Sequence, residues 1–261
     1  MALYRHGHRP KGVAGSIGPI IPSGSSLFAG VGQGAGVAEG RAYAFDMRTG
    51  RLLWARPSAA SSIPCLAVGT LFLSAGPLGA GDSYLIDPAT GVVRHTLKRY
   101  GTAQWHTSGD RIYARVLRGA AGHLSASIDA YDTQGRYRWT GRGISFDAAS
   151  ASLVVTVGRG VVEGLRAADG HRLWQVPVAG VQPRSSGGGV LIAGRLVIAQ
   201  SSDGGITVLD TFSGHVLRTL RPPSLGTNAT DLIVGDGMIY ERVTYTGPSG
   251  VPTPLLLAFG A

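Results

Sequence analysis

The chain has 261 residues, 44% of them apolar and only 15% charged, with 41 glycines and 14 prolines, so it can bury one large core or two small ones and is neither disordered nor fibrous. Two lysines and three glutamates are too few to coat the solvent faces of many helices, and glycine stands at about twice its usual frequency, which together point to an all-β chain. The formal charge of +9 is carried almost wholly by arginine; it favours an acidic polymer, an anionic surface or an anionic ligand as partner, although heavy Ala, Gly and Arg use is also what a GC-rich coding sequence produces. No apolar run approaches the roughly 20 residues of a bilayer crossing, and the first eleven residues lack the apolar stretch of a secretory signal, so the chain reads as soluble. Cys65 is the single cysteine, which excludes an intramolecular disulfide and a cysteine zinc site of the usual spacing.

Along the chain, short hydrophobic strands preceded by a small residue or glycine begin at Leu27, Leu71, Ile112, Leu153, Leu196 and Met238, at intervals of 44, 41, 41, 43 and 42 residues. After the first of them comes an alternating strand, a turn and another strand: Ala42-Tyr43-Ala44-Phe45-Asp46, then Thr49-Gly50, then Leu52-Leu53-Trp54. The same pattern recurs as Tyr84-Leu85-Ile86-Asp87 with Thr90-Gly91, Ala130-Tyr131-Asp132 with Gln134-Gly135, Gly164-Leu165 with Asp169-Gly170, and Val208-Leu209-Asp210 with Ser213-Gly214. Both markers repeat at about 42 residues, the size of one four-stranded propeller blade. In the turn, glycine supplies the positive φ that closes a tight hairpin and aspartate caps backbone amides, so these residues need no catalytic role.

Trp54, Trp139 and Trp174 each fall four residues after a turn glycine, on the outermost strand of a unit, where a large ring can pack on the neighbouring unit; His95 and Arg218 hold the same slot. Six units are expected. The last ends at Leu255-Leu256-Leu257-Ala258-Phe259, which matches a third strand, while Ala2-Leu3-Tyr4-Arg5-His6 matches a fourth, with Tyr4 in the tryptophan slot. The N-terminal strand is therefore expected to complete the last blade and close the ring, making residues 1–261 a single β-propeller domain of about six four-stranded blades. A fragment of a longer parent with seven or eight blades would leave the same ends.

The unit Tyr-Ala-Phe-Asp-x-x-Thr-Gly-x-x-Leu-Trp resembles the repeat of pyrroloquinoline-quinone-like (PQQ-like) β-propellers, sharply at residues 42–54, well at 84–95 and 206–218, and in degraded form at 128–139 and 161–174. The resemblance implies a fold shared by quinone-dependent dehydrogenases, outer-membrane assembly lipoproteins and sensing domains, most of them exported. The enzymes of that family use a quinone against a tryptophan, calcium held by Glu, Asn and Asp, a catalytic Asp and often a cysteine pair. Here there is one cysteine; the sole asparagine, Asn228, falls in a Pro/Ser/Gly-rich loop; and Glu39, Glu163 and Glu241 are scattered. PQQ and calcium are therefore not supported as cofactors, and no catalytic or metal-ligating residue is assigned. The glycine run at residues 30–36 resembles a phosphate loop only superficially, because no helical pattern follows it; Ser83 opens a repeat strand and lacks a triad partner; the histidines, His106, His171 and His215 among them, read as surface residues.

In such a fold the loops joining a unit's fourth strand to the next unit, and its second strand to its third, emerge on one face. That face gathers Arg9, Lys11, Lys98, Arg99, Arg118, Arg142, Arg159, Arg184 and Arg221 against Glu39, Asp82 and Asp203, which is +6 of the total +9. Long loops at 31–40, 177–187, 221–229 and 246–253 belong to it as well. Converging arginines focus a positive potential and grip carboxylate or phosphate. The expectation is a non-catalytic binding module, for sensing or scaffolding, whose ligand residues are Arg99, Arg118, Arg142, Arg159, Arg184 and Arg221 and whose partner is a protein or a small anion. A quinone-dependent oxidoreductase fragment is the alternative, and binding of nucleic acid or another anionic polymer the third reading. An extracytoplasmic location follows from the resemblance alone.

Overall fold

The computed structural model describes residues 17–31, 40–58, 65–67, 70–74, 83–97, 104–118, 125–143, 145–182, 189–221, 227–246 and 252–260. They form strands and turns only, and no helix is long and apolar enough to cross a membrane. The chain divides into two compact units, one of Met1–Thr102 with Thr133–Gly135, the other of Ala103–Asp132 with Arg136–Ala261.

Two antiparallel sheets build the first unit. Sheet one is β1 (Ile17–Ser23), β2 (Ser26–Val31), β3 (Gly40–Asp46) and β4 (Leu52–Ser58); sheet two is β5 (Cys65–Ala67), β6 (Thr70–Ser74), β7 (Ser83–Ile86) and β8 (Val93–Leu97). Strands pair in sequence order within each sheet, as successive hairpins dictate. Phe28, Ala42, Ala44 and Trp54 of sheet one bury against Ile86 of sheet two.

The second unit holds four sheets. Sheet three is β9 (Gln104–Ser108), β10 (Arg111–Arg118), β11 (Ser125–Asp132) and β12 (Tyr137–Arg142); sheet four is β13 (Ser145–Ala149), β14 (Leu153–Gly158), β15 (Val161–Arg166) and β16 (Arg172–Pro177). Sheet five is β17 (Val190–Ala193), β18 (Leu196–Gln200), β19 (Ile206–Asp210) and β20 (Val216–Leu220); sheet six has three strands among the described residues, β21 (Thr227–Gly235), β22 (Met238–Thr246) and β23 (Pro252–Gly260). Each hydrophobic marker opens the second strand of a sheet, or lies one residue inside it, as the period requires. The fourth strand expected for sheet six, from Ala2 to His6, lies outside the described residues.

The second strand of sheet four is buried on both faces, Leu153, Val154, Val155, Thr156 and Val157 of β14 being all at most 2% exposed, which is why it reads as an almost unbroken apolar run. Outer strands are the most exposed: β16 buries Trp174 but leaves Leu173 exposed, and β20 exposes Val216 and Leu217 beside Arg218. Between the sheets lie three apolar layers. Tyr113, Ile128, Ala130 and Trp139 of sheet three meet Val154 and Leu165 of sheet four; Val155, Val157, Val162 and Trp174 of sheet four meet Val190, Val197, Ala199 and Leu209 of sheet five; Ile198, Ile206 and Val208 of sheet five meet Leu232 and Ile239 of sheet six. The first strands β9, β13, β17 and β21 run side by side.

Candidate functional site

The alternation of hairpins gives every sheet two ends. At the turn end sit the β1–β2 type and β3–β4 type turns; at the loop end sit the connections from second to third strand and from each sheet to the next.

The turn end is a lattice of mutual satisfaction. The Asp210 carboxylate accepts the amides of Phe212 at 3.0 Å and Ser213 at 2.9 Å and the Ser213 hydroxyl at 2.9 Å, and Asp46 accepts the same set from Arg48 and Thr49. Those donors favour the ionised form, so both carboxyls are held below the usual range, chiefly by Ser213 and Thr49 respectively. Arginines close the remaining charge. In the second unit Arg111 pairs with Asp110 at 2.7 Å, Arg138 with Asp132 at 2.7 Å, Arg166 with Asp169 at 2.9 Å and Arg195 with Asp210 at 3.6 Å.

The tryptophan slot works here too. The indole N–H of Trp54 donates to the Pro88 carbonyl, that of Trp139 to Ala167 and that of Trp174 to Thr211, each at 2.9 Å and each in the turn of the next sheet. The ring lies beneath that turn's glycine: a Cβ on Gly91, Gly170 or Gly214 would stand 2.8, 2.5 or 2.7 Å from it. Positive φ, 73° at Gly170 and 69° at Gly214, is thus only half of the reason for glycine. The other half is space for a neighbour's indole, which no local reading of the turn reveals. His95, in the same slot, lies under Gly135.

The loop end is built differently. Of the six arginines expected to bind, Arg142, Arg159 and Arg221 are described with their side chains, and all three are exposed at the loop end of sheets three, four and five. Arg118 ends β10 at the same end, paired through its backbone with Ser125; Arg99 and Arg184 lie outside the described residues. Arg142 ends β12 opposite Ser127, beside Gly143, where a Cβ would stand 2.9 Å from the Thr156 methyl of sheet four. Arg159 sits on the tight turn from β14 to β15. That turn is clamped by the following connection: the Gly160 amide donates to the Val181 carbonyl and the Val178 amide to the Gly160 carbonyl, both at 2.9 Å, while Ser202 donates to Gly180 at 2.9 Å. Val178 and Val181 are buried. The described part of the connection expected as a long loop at 177–187 is therefore a packed strap joining the loop ends of sheets four and five. Arg221 follows β20 and lies near Asp203, whose carboxyl is held below its usual range first by the Ser201 hydroxyl, then by the Gly205 amide, with Arg221 a smaller contribution. Among the described residues none of these three arginines forms a direct ion pair with a carboxylate.

Several sequence-based expectations are corrected. Asn228 is not in a loop but in β21, opposite Thr244, because the strand starts inside the Pro/Ser/Gly-rich stretch. The loops at 221–229 and 246–253 are shortened accordingly, with β21 from Thr227, β22 to Thr246 and β23 from Pro252. His171 and His215 are exposed as expected, whereas His106 on β9 is half-buried and desolvation pushes its imidazole down to about 4. Glu241 is fully buried, taking the Gln200 side-chain amide at 2.5 Å across the layer between sheets five and six. The signal was available: Glu241 sits two residues from Ile239, on the strand face that alternation assigns to the core.

No three His, Cys, Asp or Glu side chains converge among the described residues; Glu163 is engaged by Arg172 and Thr156, and Glu241 by Gln200.

A family model described as outer membrane protein assembly factor BamB matches residues 94–243, more than half of the chain. No curated protein matches the sequence. Solved structures similar to this chain include the computationally designed Ika8 protein, at 17% identity and TM-score 0.64 over 93% of this chain and 71% of that one. The C-terminal WD40 domain of Sif2 is similar at 13% identity and TM-score 0.61 over 94% and 70%. A europium-containing methanol dehydrogenase is similar at 11% identity and TM-score 0.58 over 93% and 66%. At these identities the likeness establishes the fold, which is that of a β-propeller.

Proposed function

Because the chain belongs to the PQQ-like β-propeller family whose model is described as outer membrane protein assembly factor BamB, we propose that it is a non-catalytic binding module that holds an anionic ligand or a protein partner on its basic loop end. One observation carries the proposal. In the second unit Arg111, Arg138, Arg166 and Arg195 at the turn end are paired with aspartates of their own sheets, whereas Arg142, Arg159 and Arg221 face solvent without a carboxylate in direct contact among the described residues. An exposed guanidinium left without a partner is free to take a carboxylate or phosphate from another molecule at the cost of displacing water only. The strap from Val178 to Val181 keeps the Arg159 turn in place before any ligand arrives, which lowers the ordering cost of binding. A quinone or a metal has no part in this mechanism.

The test is a pull-down with immobilised protein at about physiological salt, where exposed charges still act over a Debye length of roughly 8 Å. The wild type is expected to retain proteins that the triple variant R142E/R159E/R221E does not; equal capture by both overturns the assignment of the loop end. Addition of pyrroloquinoline quinone with calcium is expected to give no dye reduction on alcohols or sugars, and a signal overturns the non-catalytic reading.

A further inference from the structure

We infer that the loop end of sheets three to five takes an extended, carboxylate-rich segment of a protein, with one acidic group to each arginine, and not a single small anion. The inference rests on the function just proposed and goes beyond it by naming the shape and chemistry of what binds.

The spacing of the sheets decides the shape. Arg142, Arg159 and Arg221 come from three successive sheets, packed face to face through the apolar layers around Leu165 and Val197. Packed sheets stand about 10 Å apart where they are closest, here along their first strands, and Arg142 ends and Arg221 follows an outermost strand, so the first and third arginine are separated by at least roughly 20 Å. A guanidinium grips a carboxylate through two parallel hydrogen bonds of about 2.8 Å, so one carboxylate cannot serve two of these arginines. An extended peptide advances about 3.3 Å per residue, so a segment of at least about six or seven residues is needed to span the set.

Chemistry then selects among extended anions. Single-stranded nucleic acid is held by stacking its bases on exposed aromatic rings along a basic groove. Among the described residues of the unit the exposed rings are Tyr137 and Phe212, and both lie at the turn end, away from the three arginines. Carboxylates need no such platform. Asp203 adds a gradient: it lies near Arg221 and lowers the positive potential there, which makes Arg221 the weakest of the three anchors.

The experiment is fluorescence anisotropy with labelled octaglutamate, labelled diglutamate and labelled octathymidylate, on the full chain and on R142Q, R159Q and R221Q, with thermal melts to show that each variant is folded. Octaglutamate is expected to bind about tenfold or more tighter than diglutamate, and R142Q and R159Q each to weaken it by about three- to tenfold, as loss of one charge-assisted pair implies. R221Q is expected to weaken it least. Diglutamate binding as well as octaglutamate, octathymidylate binding tighter than either, failure of octaglutamate to bind, or indifference to all three substitutions overturns the inference. The proposed function falls separately, if the triple reversal leaves partner capture intact or quinone with calcium gives a dye-reduction signal.

Discussion

The two ends of the second unit's sheets contain the same charged residue types in opposite states. At the turn end Asp110, Asp132, Asp169 and Asp210 are each answered by an arginine, and the turns are knitted to the next sheet by a buried indole. At the loop end Arg142, Arg159 and Arg221 form no direct ion pair with a described carboxylate, Asp203 lies near Arg221, and backbone hydrogen bonds with the buried Val178 and Val181 hold the strap. Both ends tie neighbouring sheets together, the turn end through indoles and the loop end through the strap, but the described arginines of the loop end are the ones we propose for a partner. Net charge alone could not teach this, because it sums over ends that cancel and ends that do not.

The largest effect that would sharpen the contrast is loss of an indole. Trp174→Ala removes a buried ring and its hydrogen bond to Thr211, and is expected to cost about 3–5 kcal/mol in urea unfolding. A loss below about 1 kcal/mol, the size of an ordinary surface effect, would break the idea that the turn end carries stability. Next comes Gly214→Ala, which forces a side chain into the left-handed region and against the Trp174 ring; about 1–3 kcal/mol is expected, and a stabilised protein would contradict the packing.

Acid should act in two stages. His106 is neutral in the fold because burial lowers its imidazole from 6.5 to about 4, so the stability tied to its neutral form is intact above pH 6.5 and is lost as pH falls through about 4. Asp46, Asp87, Asp169 and Asp210 are held below 3.8 by their turn donors and arginines; their contribution is present above that value and disappears only below it. Melting temperatures across pH 7 to 3 are expected to decline early in the wild type, and H106Q should remove the earlier decline while keeping the later one. The smallest expected effect lies at the loop end: R142Q, R159Q and R221Q should each change stability by less than about 0.5 kcal/mol, since they leave no buried carboxylate behind. A destabilisation comparable to Gly214→Ala would mean that these arginines serve the fold after all.

Much of this was legible in the residues. The period of about 42 gave six sheets, the Asp-x-x-Thr-Gly turns gave their hairpins, and the tryptophan slot gave the contact between sheets. The basic loop end was legible in part: Arg142, Arg159 and Arg221 lie where the strand map put them, because a strand's direction fixes which end a flanking residue occupies. Asn228 was misplaced because a Pro/Ser/Gly-rich stretch looks the same whether or not its last residues pair, and pairing is decided by a partner strand.

By itself the sequence determined periodicity, strand order and which residues share an end, since these follow from local turn chemistry and from alternation along a strand. The tertiary structure alone decided which arginines are already partnered, why Gly91, Gly170 and Gly214 have no room for a side chain, and that Glu241 is buried against Gln200. The last two depend on atoms brought within a few ångströms from residues some 30 to 40 positions apart, a distance that no local pattern encodes.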